Sequence, residues 1–223
     1  MSIINYGKQF LDNKDLSSVR KVLQSDYLTQ GPKVDGFEKA LLKKFGGKFC
    51  SVVSSGTAAL HLLGLALGWK KNDIILTTPL TFTATSNCIV YTGAKPIFVD
   101  IDENTGTICP KNLEKKIKSI RNKGKKIKAI IGMDYGGHPC DWLKIKSLSK
   151  QYKITLINDN CHGMGAALYN DKKYAIKYAD FITLSFHPVK AFTTAEGGAI
   201  ISKNKIIDEK IKSLRSHGII KNE

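Results

Sequence analysis

The chain has 223 residues, 42% of them hydrophobic, and a formal charge of +16 from 35 Lys and Arg against 19 Asp and Glu. That is enough apolar material for a sizeable core in one large domain, and no apolar run approaches a membrane span; without a secretory leader in MSIINYGKQF, the cytoplasm is the expected location. Five scattered cysteines (Cys50, Cys88, Cys109, Cys140, Cys161), odd in number and without a CxxC pair, argue against a disulfide framework.

In chain order, Asn13 is placed to cap a helix over 13–25 whose Leu16, Val19, Val22 and Leu23 share one face. A loop, Tyr27-Leu28-Thr29-Gln30-Gly31-Pro32, leads to a second amphipathic helix marked by Val34, Phe37, Leu41 and Phe45 and stopped by Gly46-Gly47. Residues 49–53 read as a short buried strand, which Ser54-Ser55-Gly56-Thr57 turns into a helix carrying Ala58, Ala59, Leu60, Leu62 and Leu63. The alternation continues with a strand over 74–77, a helix over 84–91, a strand over 97–100 and a helix over 113–121. A strand over 127–133, a helix over 142–152, strands over 155–158 and 181–185, and a basic helix over 206–215 follow. Repeated βα units predict an α/β fold, a mostly parallel sheet sandwiched by helices, with ligand groups gathered at the carboxyl ends of the strands.

The run Lys115, Lys116, Lys118, Arg121, Lys123, Lys125, Lys126 and Lys128 invites a nucleic-acid reading. It lacks interleaved aromatics and alternates with Leu113, Ile117 and Ile120 at helical spacing, which marks the solvated face of an amphipathic helix; no nucleic-acid partner is expected.

The stretch FITLSFHPVKAFTTAEGG carries Lys190 from a buried strand onto an irregular loop rich in small and polar residues, among them Ser185, His187, Thr193, Thr194 and Glu196. Gly56 and Thr57 open a helix with free N–H groups and no bulky side chain, which suits a phosphate as well as it suits an ordinary helix start. Asp159 and His162 sit three residues apart at a strand end, either as a turn cap and a satisfied histidine or as working groups. Phe82, just after a strand, is either core or a stacking face. Zinc held by Cys161, His162, His138 and Cys140 lacks paired ligand spacing, so no metal is expected. Neither a Walker lysine motif nor GxGxxG is present, which disfavours a nucleotide triphosphatase and a Rossmann dehydrogenase. An anion cradle, a stacking face, a carboxylate and a lysine on a loop together suit pyridoxal 5'-phosphate, which has a phosphate, an aromatic ring, a basic ring nitrogen and an aldehyde.

These residues resemble the DegT-type sugar-nucleotide aminotransferases, pyridoxal-phosphate enzymes of fold type I, over essentially the whole chain. The resemblance rests on SSGTAALHL (54–62), TFTATSN (81–87), GAKPIFVDID (93–102), NDNCHGMGA (158–166) and the Lys190 stretch. INYGKQF (4–10), SDYLTQGP (25–32), GGHPCD (136–141) and the double threonine before Ala195 are similar to a subgroup that aminates C4 of a UDP-linked 2-acetamido-2,6-dideoxy-4-ketohexose in pseudaminic acid biosynthesis, with L-glutamate as donor. The resemblance implies that Lys190 bonds the cofactor aldehyde, Asp159 holds the ring nitrogen protonated and His162 lies against the ring or its phenolic oxygen. It implies further that Phe82 stacks on the ring and that Gly56, Thr57 and Ser185 hold the phosphate. Thr29, Gln30 and Gly31 are the candidate contacts to the sugar nucleotide. Two departures stand out: many relatives read Glu-Asp-Ala-Ala where this chain has Asn158-Asp159-Asn160-Cys161, and many have Gly where Ala195 stands. The implied organisation is an N-terminal helix and substrate loop (1–33), a cofactor-binding large domain (34–216), and the start of a connection (217–223) to a small C-terminal domain that is missing. A homodimer is implied for the full-length form.

Overall fold

The computed structural model describes residues 7–219. Seven strands, β1 (Phe49–Val53), β2 (Ile74–Thr77), β3 (Lys95–Phe98), β4 (Ile127–Met133), β5 (Thr155–Asp159), β6 (Phe181–Ser185) and β7 (Gly198–Ser202), form one sheet in the order β1-β7-β6-β5-β4-β2-β3. Helices α1 (Asn13–Leu23), α2 (Pro32–Phe45), α3 (Gly56–Ala66) and α4 (Thr83–Tyr91) come from the first half of the chain. The second half supplies α5 (Pro110–Asn122), α6 (Trp142–Tyr152), α7 (Tyr174–Tyr178) and α8 (Lys205–Arg215).

The strands from β3 through β2, β4 and β5 to β6 run parallel, as the βα repeats require. β7 is antiparallel to both β6 and β1. It follows β6 as a hairpin with no crossover helix, so the βα rhythm gives no signal for it, although Ala199-Ile200-Ile201 is an apolar run. Because β7 turns back beside β6, the loop between them, 186–197, carries Lys190 outward at the carboxyl end of β6.

Helices cover both faces. Leu41 and Phe45 of α2, Leu113 and Ile117 of α5, and Trp142 and Ile145 of α6 pack one side, while Leu60 and Leu63 of α3, Ile89 of α4 and Ile211 of α8 pack the other. Every residue of β2, β6 and β7 is buried. β1 is an edge strand, and side chains close it: Glu38 accepts the Val52 N–H at 2.9 Å, and Arg215 donates to the Val52 carbonyl at 2.9 Å and to Glu38 at 2.7 Å. Occupying those backbone groups denies the edge to another strand.

Three expectations need adjustment. The first helix is capped by Asp12, not Asn13, in a box with Asp15, and its apolar face is uncovered: Leu16, Val19 and Leu23 are 60%, 59% and 67% exposed. β3 begins at Lys95, two residues before the predicted start; Pro96, which lacks an N–H, is tolerated because β3 is the other edge. α2 starts at Pro32, so a domain boundary after residue 33 falls inside a helix that packs on the sheet. The expected connection over 217–223 and the INYGKQF stretch lie partly outside the described residues. No helix among the described residues is long and apolar enough to cross a membrane.

Candidate active site

Sheet topology brings the predicted groups to one end of the sheet. Asp159 is the last residue of β5, Ser185 the last of β6, Gly56 the first of α3, and Phe82 the N-cap of α4. With Thr57 and Lys190 they line a cleft of about 300 Å³, joined by Ser55, Leu60, Met133, Cys161, His187, Val189 and Glu196. A second cleft, about 330 Å³, lies beside it, lined by Tyr135, Gly136, Cys161, His162, Val189, Lys190 and Ala191. Lys190 faces both, and His162 lines only the second. Thr29, Gln30 and Gly31 line neither; Gln30 instead sits with its amide oxygen 3.5 Å from the Ser216 hydroxyl.

The α3 entrance is a cradle shaped by the absence of side chains. Ser55 caps the helix, accepting the Ala58 N–H at 3.0 Å, and leaves the N–H groups of Gly56 and Thr57 among those a helix start cannot pair internally. A Cβ on Gly56 would stand 2.7 Å from Ser185 Cβ and 3.3 Å from Cys161 Sγ, so only glycine lets the helix start close on Ser185. Helix N–H groups, a helix dipole and the two hydroxyls of Thr57 and Ser185 meet there.

Asp159, 2% exposed, accepts the Thr85 hydroxyl on Oδ2 at 2.7 Å and the Cys161 N–H on Oδ1 at 3.3 Å. Burial, with Asp159 beside it, holds the Cys161 thiol well above its ordinary range, which makes it an inert wall rather than a nucleophile. Phe82, by contrast, is 61% exposed at the cleft, a position open to stacking and not a core position.

His162 Nδ1 accepts the Gly136 N–H at 3.4 Å, which leaves the proton of a neutral ring on Nε2. Its pKa is lowered by burial first and by Lys190 second, against an opposing pull from Asp159. A histidine harder to protonate folded than unfolded withdraws stability as pH falls below its ordinary value near 6.5. Thermal melts should therefore lose stability from pH 6.5 downward more steeply in the parent protein than in His162→Gln.

The Asn158-Asp159-Asn160 departure has a structural partner. Asn158 and Asn160 both donate to Oδ2 of Asp134, at 3.1 and 2.8 Å, and Tyr174 donates to the same oxygen at 2.6 Å. Trp142 Nε1 and the Cys140 N–H reach its Oδ1 at 2.8 and 2.9 Å. Burial raises the Asp134 pKa, and these donors oppose it. The network ties GGHPCD to the Asp159 strand end, a connection that sequence spacing does not reveal.

The lysine loop is braced from within. Thr193 donates to the Phe186 carbonyl at 2.7 Å and accepts the Ala195 N–H at 2.9 Å, and Thr194 donates to the Glu196 carbonyl at 2.7 Å. Ala195 is left-handed, at φ 65°, a conformation that glycine adopts without steric cost. Ala195→Gly should stabilise the chain by about 1 kcal/mol in denaturant unfolding. Gly7 also lies against this loop: a Cβ on it would stand 3.3 Å from Val189 Cγ1.

The family profile described as the DegT/DnrJ/EryC1/StrS aminotransferase family matches residues 9–223. The chain belongs to that family. Among curated relatives, the UDP-4-amino-4,6-dideoxy-N-acetyl-beta-L-altrosamine transaminase of Campylobacter jejuni strain 81-176 is 46% identical over 98% of this chain and 56% of its own length. Among solved structures, Helicobacter pylori PseC, an aminotransferase involved in the biosynthesis of pseudoaminic acid, matches at TM-score 0.88 and 33% identity, over 100% of this chain and 58% of that one. NtdA from Bacillus subtilis, with the cofactor PMP bound, matches at TM-score 0.78 and 30% identity, over 91% of this chain and 45% of NtdA. The chain thus spans about half the length of the relatives it matches.

The DegT-family cofactor, pyridoxal 5'-phosphate, fits the residues present. The cradle that a Gly56 Cβ would fill, the exposed Phe82 ring, the buried Asp159 carboxylate and the Lys190 amine border one cleft.

Proposed function

We propose that the protein works as a pyridoxal-phosphate-dependent aminotransferase of nucleotide sugars. Its reaction exchanges the amino group of L-glutamate for the C4 ketone oxygen of a UDP-linked 2-acetamido-2,6-dideoxy-4-ketohexose. The products are 2-oxoglutarate and the 4-amino sugar of the pseudaminic acid branch. The observation that carries this is the meeting of Lys190, Asp159 and the Gly56–Thr57 helix start in one cleft. The particular sugar is supported by 46% identity to the altrosamine transaminase.

When bound, the cofactor supplies an electron sink for a carbanion at the amino donor's Cα. The chain's own residues do the rest. Gly56 and Thr57 N–H groups with the Thr57 and Ser185 hydroxyls would hold the phosphate, and Phe82 would offer a stacking face for the ring. Asp159 would hold the ring nitrogen in its protonated form, which would strengthen the cofactor as an electron sink. Lys190 Nζ would be the amine offered to the cofactor aldehyde, and as a free amine it could take a proton at the donor Cα and give one at C4 of the sugar. His162, neutral and with its proton on Nε2, can donate a hydrogen bond from the second cleft to an oxygen beside Lys190. Thr29, Gln30 and Gly31 contact the sugar nucleotide only where a second copy carries that loop to the cleft. A homodimer is in keeping with the uncovered Val90, Tyr91 and Phe98 on α4 and β3.

The test is a visible absorption titration of the purified chain with pyridoxal 5'-phosphate, followed by borohydride reduction and peptide mapping. Reduction that fixes the cofactor on Lys190 supports the reading. A folded chain with no specific adduct refutes it.

A further inference from the structure

We propose that Thr85 is a positioning residue for the cofactor. With Thr81 it forms a hydroxyl relay that fixes Asp159 as a hydrogen-bond acceptor, an inference that rests on the cofactor reading above.

Thr85 lies on α4 and is fully buried. Its Oγ1 is 2.7 Å from Asp159 Oδ2 and 2.8 Å from Thr81 Oγ1, and Thr81 Oγ1 is in turn 2.8 Å from Met133 Sδ. Each hydroxyl has one proton to give, so the line has two self-consistent directions. Run toward β5, Thr81 donates to Thr85 and Thr85 donates to Asp159, and the line ends on a carboxylate, a charge-assisted bond. Run the other way, Asp159 must supply a proton, Thr85 donates to Thr81, and the line ends on a thioether, a weak acceptor. Replacing a strong terminal bond with a weak one favours the first direction.

The surroundings keep that direction. Asp159 Oδ1 accepts the Cys161 N–H, and the nearby thiols of Cys88 and Cys161 are held neutral by burial. His162, a basic group on the cleft side, gains from a negative Asp159. The carboxylate is therefore presented to the cleft in a set orientation, with its remaining lone pairs for a ring N–H. Thr85 never meets the ligand; it acts through Asp159.

The experiment compares binding of pyridoxal 5'-phosphate and of its 1-deaza analogue, in which C–H replaces the ring nitrogen, to the unaltered chain and to Thr85→Val, Thr85→Ser and Thr81→Val. Thr85→Val keeps the shape and removes the donor. Its dissociation constant for pyridoxal 5'-phosphate is expected to rise about tenfold, with the analogue's unchanged within about twofold and Thr85→Ser restoring the parent value. Thr81→Val, which leaves Asp159 its donor but frees that donor to turn, should show a smaller loss confined to the same cofactor; it carries the test if Thr85→Val does not fold. Equal weakening of both cofactors, or no weakening in either valine variant, overturns the relay. An unaltered chain that binds neither cofactor overturns the cofactor reading itself, and the relay with it.

Discussion

Lys190→Ala is expected to abolish the borohydride-fixed adduct at that position, and to lower aminotransferase turnover by on the order of a thousandfold or more. The fold should survive, with the melting temperature within roughly 3 °C of the parent. The side chain is half-buried, and Lys190 forms no ion pair among the described residues; its loop is held by the backbone bond from Lys190 to His187 and by the hydroxyls of Thr193 and Thr194. With 32 lysines in the chain, aldehyde adducts at surface amines are a certain background. The deciding measurement is therefore the reduced peptide's mass before and after the substitution. Loss of the 190 peptide adduct alone assigns the amine. Persistence of the visible band at equal intensity would move the assignment to another lysine.

Much of this site was legible because its chemistry is local in sequence. Asp159, Phe82 and the Gly56–Thr57 pair each sit at the end of an element that hydrophobic periodicity marks, Lys190 lies on the loop just beyond one, and parallel βα topology sends all such ends to one edge of the sheet. What stayed hidden depends on contacts between elements. Thr85 reaches Asp159 across 74 positions of sequence, and Asp134 collects donors from β5, α6 and α7. Either threonine or aspartate read alone is an ordinary polar residue. Thr81 and Thr85 at i and i+4 across a helix start were the one available cue, since that spacing puts both hydroxyls on one side. β7 was missed for a different reason: the rule that finds parallel strands looks for an intervening helix, and a hairpin has none. The exposed face of α1 marks the limit of periodicity, which reports an apolar stripe but not what covers it.

Gly198→Ala should prove the most damaging single methyl in the protein. The added Cβ would stand 2.3 Å from the Ser55 carbonyl oxygen, 2.4 Å from its carbon and 2.7 Å from the Gly56 nitrogen, all backbone atoms that no rotamer change can clear. β7 cannot retreat, because Gly198 is registered against Val53 of β1 on one side and Ser185 of β6 on the other. The start of α3 must move instead, and it is bound by the Ser55 cap on Ala58 and the Ala59 bond to the Ser55 carbonyl. Overpacking of this kind costs about 3 kcal/mol, a fall of roughly 6–12 °C in melting temperature for a chain of this size. Gly36→Ala provides the matched control: a Cβ there meets nothing within 4 Å on α2, so the same chemical change should stabilise by about 0.5–1 kcal/mol. Since the displaced Ser55–Gly56 peptide is also the proposed phosphate cradle, Gly198→Ala should weaken inorganic phosphate and pyridoxal 5'-phosphate together, at temperatures where the variant remains folded. Lost stability with unaltered phosphate affinity would mean that the α3 entrance is packing alone and that the anion is held elsewhere.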